Sequence, residues 1–586
     1  MRRKTYSHKL FFVLGTATVM ALSCCTDNDY DFNEVDTAIG IGGDELEIPS
    51  ISTELIPLRD VLELEDNGSV VEDSVTHDYV FRQEGADVSP VNPSIDKIIV
   101  SKQALNKNDV ELKFNSAAAA SIRTTSELTA DGWLQAFTYE GMQPEEVIDL
   151  NTAEIQSKID LTIDFNDVKS IINTFDFIEI SLPAFMTLSN VECGNQQFEQ
   201  QGSKLIFNNV PTQQNLKITT QVTELNFKES DDTYGTLKLE GGKIKMDGQV
   251  YIKAAASDLN TTAGVPESKK ISSIMEMDDF TVEAATGKFN PDISLNDLGD
   301  INVNGIPDFL QGGNVRVDLY NPQIKLTMGS NMSVPGKLDG TIKAVKDGKE
   351  IASVYIPDIP IDANKTSTIC ICRREEGVDK DHFDHVIVNE GLSKLIETIP
   401  DNITFSAVAS ADTTKDYRFE LGHEYEIIPA YTIDAPIAFS ENANIEYRET
   451  LDGWSSDIED FDLSDDAYIN FDANIKSCVP AYLTVTAQPI DVKGNELSKD
   501  EITIDVTGSV MASKDGKTEV ASPVNIKISQ KKRGALKKLD GVVFVVAGAA
   551  NDSNGAVTGI TLNAEKHTLK VEQIKIKLVG KLIANL

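Results

Sequence analysis

Residues Val571-Glu572-Gln573-Ile574-Lys575-Ile576-Lys577-Leu578 set apolar side chains among charged and polar ones. An extended chain points successive side chains to opposite faces, so this stretch reads as a strand with one buried and one wet face. The same alternation recurs at 97–102, 110–114, 242–246, 315–319, 324–328 and 502–506. Between such stretches stand Asn67-Gly68, Asp247-Gly248, Asp347-Gly348, Asp515-Gly516 and Asn554-Gly555. These dipeptides suit tight hairpin turns, which need positive φ at both turn residues. Helical patterns are few and short, the best at 165–173 and at 390–398, the latter stopping before Pro400. The expected fold is therefore mainly β: several antiparallel β-sandwich or half-open barrel domains in tandem, with few short helices.

At 586 residues the chain exceeds what one hydrophobic core supports. Soft boundaries divide it into β domains at 46–230, a β-sandwich at 231–375 and C-terminal β domains at 376–586. With 93 acidic and 53 basic side chains the net charge is −40. Such a polyanion repels phosphates and anionic lipid, so nucleic acid is not an expected partner. At 41% hydrophobic residues, folded cores are affordable and global disorder is not expected.

The amino terminus carries an address. Arg2, Arg3, Lys4 and Lys9 precede an apolar run from Leu10 to Leu22. That run is shorter than the roughly 20 residues needed to span a bilayer, and it suits the core of a signal peptide, here 1–23. Ala21-Leu22-Ser23-Cys24-Cys25 follows and resembles a bacterial lipobox, in which the Cys is lipidated and becomes the new terminus. Cys24, behind the small Ser23, fits best; Cys25 has Leu22 three residues before it and stays open. Residues 24–45 then form an acidic tether beginning Thr26-Asp27-Asn28-Asp29-Tyr30-Asp31. Lipobox, tether and acidic β-rich body together resemble surface lipoproteins of the Bacteroidota. Segments 306–310, 315–326 and 474–485 also resemble stretches of large lipoproteins from that phylum. The resemblance implies a lipid-anchored location at the outer membrane, on the cell surface, with the membrane as partner through the acyl chains. It implies no activity and no functional residue beyond the lipidated Cys.

Candidate site residues are sparse. Trp133 and Trp454 each follow Asp-Gly, a turn that can present an aromatic face to a sugar ring or close one end of a core. Asp300, Asn302, Asn304 and Asp308, with Gly305, resemble a calcium loop, although Gln311 stands where a bidentate Glu belongs. No cofactor is expected, unless calcium at this loop. Asp36-Thr37-Ala38 fits an O-glycosylation sequon resembling that of Bacteroidota, with Thr37 the modified residue; 73–75 and 412–414 fit it too. Cys370 and Cys372 with His382 and His385 invite a metal reading, but their spacing matches no common zinc pattern. No HExxH, GxSxG, phosphate loop or dinucleotide fingerprint occurs, so no catalytic residue is assigned.

Three collinear echoes (76–81 with 414–419, 131–133 with 452–454, 161–169 with 483–493) suggest that the C-terminal region is a degenerate repeat of 46–230. The expected function is a non-catalytic, outer-membrane-anchored surface binding or adhesion module with a glycan or protein ligand. Two other readings stay open: a periplasm-facing structural, lipid-binding or envelope-assembly lipoprotein, and a carbohydrate-active enzyme.

Overall fold

The alternating stretch at 571–578 lies in the strand Thr568–Val579. Its pattern cannot hold one parity throughout: Val571 and Ile574 are three residues apart, yet both are buried. A bulge reconciles them. Gln573 takes a left-handed φ of 55°, and the register to the neighbouring strand slips between Asp472 and Asn474. One extra residue thereby returns Ile574 and Ile576 to the core face.

The computed structural model describes residues 45–580, apart from 63, 65–67, 86–87, 116–126, 230–232, 261–268, 296–297, 311, 313 and 456–465; at 45–51, 114–115 and 308 it describes the backbone only. The signal peptide 1–23, all but the last residue of the tether and Thr37 lie outside the described residues. The chain is mainly β, as its alternation predicts, and the described sheets are antiparallel except where His385–Val388 joins Lys365–Cys372 in parallel.

Strand Thr568–Val579 is flanked by Glu45–Ile51 on one side and Tyr468–Ser477 on the other, in a six-stranded sheet. A three-stranded sheet of Asn444–Leu451, Gly541–Ala549 and Tyr482–Ile490 belongs to the same unit. Phe471, Ile526 and Ile576 of the first and Val542 and Phe544 of the second line one small cavity between the sheets. This is the terminal sandwich.

The middle sandwich joins a six-stranded sheet, containing Val70–Glu72, Tyr79–Glu84, Gln323–Ser330 and Ile427–Pro436, to a four-stranded one. The latter runs Asp300–Asn302, Asn402–Ala411, Gly336–Lys346, Lys349–Ile361. Phe405 of one sheet packs edge-on against Tyr431 of the other at 5.6 Å.

The third unit lies between these in sequence. A ten-stranded sheet includes Ile98–Lys107, Glu127–Met142, Lys243–Ala256 and Ile172–Ser181. A seven-stranded sheet includes Val147–Asp164, Leu216–Asn226 and Lys270–Met277. Two buried polar side chains tie the layers: Gln135 Nε2 donates to Ser273 Oγ at 2.9 Å, and Tyr139 OH donates to the Met277 carbonyl at 2.8 Å. A buried amide or hydroxyl left unpaired there would cost about 1–3 kcal/mol.

The three units are nested, and their strand partners cross the boundaries expected near 230 and 375. The described chain starts in the terminal sandwich (45–57), passes through the middle one (70–84) and builds the nested sandwich (98–289). It then returns through the middle (300–436) and finishes in the terminal sandwich (444–579). Both seams hold more than a linker. Tyr417–Glu420 pairs with Ala284–Phe289, extending a sheet of the nested sandwich, and Arg418 grips Glu154 through two bonds of 2.7 and 3.0 Å. At the other seam, isolated bridges join Asp78 to Asn563, Arg316 to Asn444, and Ala438 to Thr561. The Asn563 side-chain amide also donates to the Asp78 carboxylate there, at 2.8 Å.

Local expectations divide. Asp347-Gly348 turns between Gly336–Lys346 and Lys349–Ile361 with φ of 50° and 70°, as a tight hairpin requires. Glu390–Glu397 is helical, in two short turns. Stretch 165–173 is not a helix. It is a turn closed by Val168 and Lys169 N–H on the Phe165 carbonyl, after which Ile172 enters a strand. Asp247-Gly248 is no turn either; it lies inside Lys243–Ala256. Segment 315–319 bridges other strands only at Arg316 and Leu319. The echoing segments occupy unlike places: 131–133 is interior to a strand, while 452–454 follows the end of one.

Candidate ligand platform on the nested sandwich

Strand Lys243–Ala256 turns Ile244, Met246, Val250 and Ile252 inward and Lys243, Lys245, Gln249 and Lys253 outward. Tyr251 falls on the outward parity. Across the pairing, Tyr251 stands opposite Trp133 of Glu127–Met142. Directly paired residues of an antiparallel ladder share a face, so the indole and the phenol emerge side by side. Leu134 is the extra residue of a bulge at this point, between the pairs Val250–Gln135 and Tyr251–Trp133. The bulge lets Leu134 and Gln135 both lie buried while Trp133 keeps the outward face. Tyr234, just before the strand Gly235–Leu239, lays its ring 5.0 Å from that of Tyr251, tilted by 36°. All three aromatics are partly exposed. Asn108 Nδ2 donates to the Trp133 carbonyl at 2.9 Å, fixing the backbone beneath the indole.

One register step along the strands lies a row of charge. Glu179 pairs with Lys253, and Lys253 pairs with Asp131. Carboxylate, ammonium and carboxylate thus alternate across three neighbouring strands, on the same outward face as the aromatics. The rows are two residues apart, about 6.7 Å, and neighbouring strands are about 4.8 Å apart. Asp131 beside the Tyr251 hydroxyl pushes that phenol up to about 12. Ser181, next to Tyr251 in the register, donates to Glu179 Oε1 at 3.3 Å.

Trp454 is 4% exposed and closes the terminal core against Phe471 and Phe544, offering no face to a ligand. Its turn is held by Asp540, whose carboxylate accepts from the N–H groups of Gly453 and Ser455. Asp300–Asn302 is a strand paired with Asn402–Ala411, not a curled loop. Asp300, Asn302 and Asn304 are exposed along that extended segment, spread by about 6.7 Å per two residues. Gly305 follows with φ 58°. The side chain of Asp308 lies outside the described residues. Cys370 and Cys372 are fully buried, and burial raises both thiols. His382 faces Asp379 at 2.7 Å and His385 faces Asp362 at 2.9 Å, so the histidines do not turn toward the thiols. Among the described residues no group of three or more His, Cys, Asp or Glu is arranged to hold a metal ion. Asp73 and Asp412 of the other two sequons cap their own turns, accepting from the N–H groups of Val75 and Thr76, and of Thr414.

An apolar cavity of about 70 Å³ lies at the seam of the middle and terminal sandwiches, lined by Leu58, Phe309, Tyr447, Leu483 and Leu569 among others. It has room for about five water-sized groups, far less than an acyl chain needs. Among the described residues no helix is long and apolar enough to cross a membrane.

Tyr251 and Tyr234 were not among the residues singled out from sequence. The available signal was an aromatic on the wet parity of an amphipathic strand, in Gln249-Val250-Tyr251-Ile252-Lys253.

No family model and no curated protein matches this chain. Among solved structures, an inferred secreted protein of Parabacteroides distasonis is similar at 16% identity over 51% of this chain and 90% of that one, with a TM-score of 0.34. A structure of infectious bursal disease virus, Gx strain, is similar at 9% identity over 88% of this chain and 84% of that one, with a TM-score of 0.13. Neither superposition is close enough to carry an argument about fold or function.

Proposed function

We propose that this protein is a non-catalytic, lipid-anchored surface lipoprotein of the outer membrane that binds a ligand through its nested sandwich. The observation that carries the reading is the aromatic platform at Trp133, Tyr251 and Tyr234. Soluble proteins usually bury such rings, and a row of them left partly open beside charged groups is the composition of a recognition surface. The chain path supports presentation. The first described strand and the last pair at one end of the nesting, while the platform belongs to the unit folded between the two passes through the middle sandwich. The lipobox at Cys24 or Cys25 and the acidic tether supply the anchor in this reading. Several acyl chains give durable attachment where one does not.

The test is metabolic palmitate labelling of the full chain, with Cys24→Ala and Cys25→Ala, followed by protease shaving of intact and lysed cells. The reading expects one of the two substitutions to abolish the label and the wild-type body to be shaved from intact cells. A body cut only after lysis would place it on the periplasmic side.

A further inference from the structure

We infer that the Trp133–Tyr251–Tyr234 platform is a glycan subsite that stacks a neutral pyranose ring and reads its hydroxyls with the adjacent charge row. This rests on the binding-module reading above and names its ligand class. A pyranose presents a face of C–H bonds and a rim of hydroxyls. The C–H face needs a flat, apolar, electron-rich surface, which the paired indole and phenol supply. The rim needs donors and acceptors within one ring's breadth. Asp131 accepts, Lys253 donates and Glu179 accepts, in one row across three strands, one row away from the aromatics. The two rows lie about 6.7 Å apart along the strands, so the charged side chains stand beside a ring seated on the aromatics.

The platform is also pre-oriented. Tyr251 leans its hydroxyl on Asp131, Tyr234 rests on Tyr251, and the strand under Trp133 is pinned by Asn108. Rings already held in place lose little freedom on binding. The alternation of carboxylate and ammonium disfavours both anionic and cationic ligands, since each meets a like charge, and favours a neutral polyol. A long glycan suits the site better than a free sugar, because the platform is open on a sheet face rather than enclosed.

The chain's two tryptophans make the test direct. With Trp454 replaced in the full-length Trp454→Phe chain, all indole emission comes from Trp133. The experiment follows acrylamide quenching of that emission during titration with dextran, mannan, xylan and laminarin, alongside native electrophoresis of the wild-type chain in gels holding each polysaccharide. The inference expects at least one of the four to shield Trp133 and retard the chain. It expects Trp133→Ala to weaken retardation about tenfold or more, the usual loss when an aromatic anchor is truncated. Lys253→Ala, which leaves the rings intact, is expected to weaken it several-fold at unchanged melting temperature. No shielding by any of the four, or retardation unchanged in both folded variants, would overturn the inference. The binding is measured on purified chain, so a failure of surface anchoring leaves it standing, and a failure here leaves the anchor standing.

Discussion

Single residues carry distinct loads in this molecule. Trp454 fills the end of the terminal core, and Trp454→Ala should lower unfolding free energy by ~3–5 kcal/mol through lost contacts and the cavity left behind. Denaturant titration checks this; a loss under about 1 kcal/mol would mean that the indole is not a core element. His567 is the second case. It is nearly fully buried, Asn563 N–H donates to its Nδ1 at 3.0 Å, and burial lowers its pKa from 6.5 to about 4. Asp78 opposes that shift and Lys566 adds to it. Between these two values the unfolded chain binds a proton that the folded chain refuses, so stability rises with pH across the window. On acidification from above pH 6.5 towards pH 4 the group withdraws ~3 kcal/mol. His567→Gln, which keeps an acceptor and cannot titrate, should lose correspondingly less stability between pH 7 and pH 4.5. Parallel losses in both proteins would assign the acid sensitivity to other groups.

Elements show where sequence pattern carries information and where it stops. Gly248 sits mid-strand because the ring of Phe137 crosses it: a Cβ there would come 2.3 Å from Phe137 Cζ and 2.9 Å from Pro183 Cγ. Gly248→Ala should therefore destabilise by ~1–3 kcal/mol through overpacking, and adding Phe137→Leu should recover part of the loss. A neutral Gly248→Ala, read by thermal melting, would refute the contact. An Asp-Gly dipeptide alone cannot say whether its glycine serves a positive φ, as at Gly348, or a crossing ring, as at Gly248. Where alternation was read it found strands at 97–102, 110–114, 242–246, 324–328, 502–506 and 571–578, because burial on one face is a local constraint. It overreached at 315–319, where Arg316 and Leu319 bridge different partners instead of joining one ladder. The extended path of Asp300–Asn302 was hidden by its resemblance to an ion-binding loop, although Ile301 and Val303 keep the parity of a buried strand face. Of the platform, Trp133 was legible as an aromatic worth weighing. Its partners were not, since Tyr251 meets it only through a register that more than a hundred intervening residues must fold to create.

At the scale of the whole molecule, the central feature is nesting. Pairing of Glu45–Ile51 with Thr568–Val579 joins segments more than five hundred residues apart, and no local pattern names a partner at that distance. Its consequence is mechanical. Each seam is crossed twice by the chain and reinforced by bridged strands or paired charges, so the sandwiches are not beads on flexible linkers. A tether emerging before Glu45 would leave from the terminal sandwich, and the platform would be carried on the unit held between the two passes. The direct test places cysteines at the register partners, Glu47→Cys with Lys577→Cys, and a protease site between Leu259 and Lys270. After oxidation or bridging by a short bis-maleimide, the chain is cut and run under denaturing conditions. Nesting predicts that the two fragments stay covalently joined, and that they separate in the parent carrying the site without the new cysteines. Fragments that separate despite both cysteines would show that the first and last strands are not neighbours, and would contradict the account.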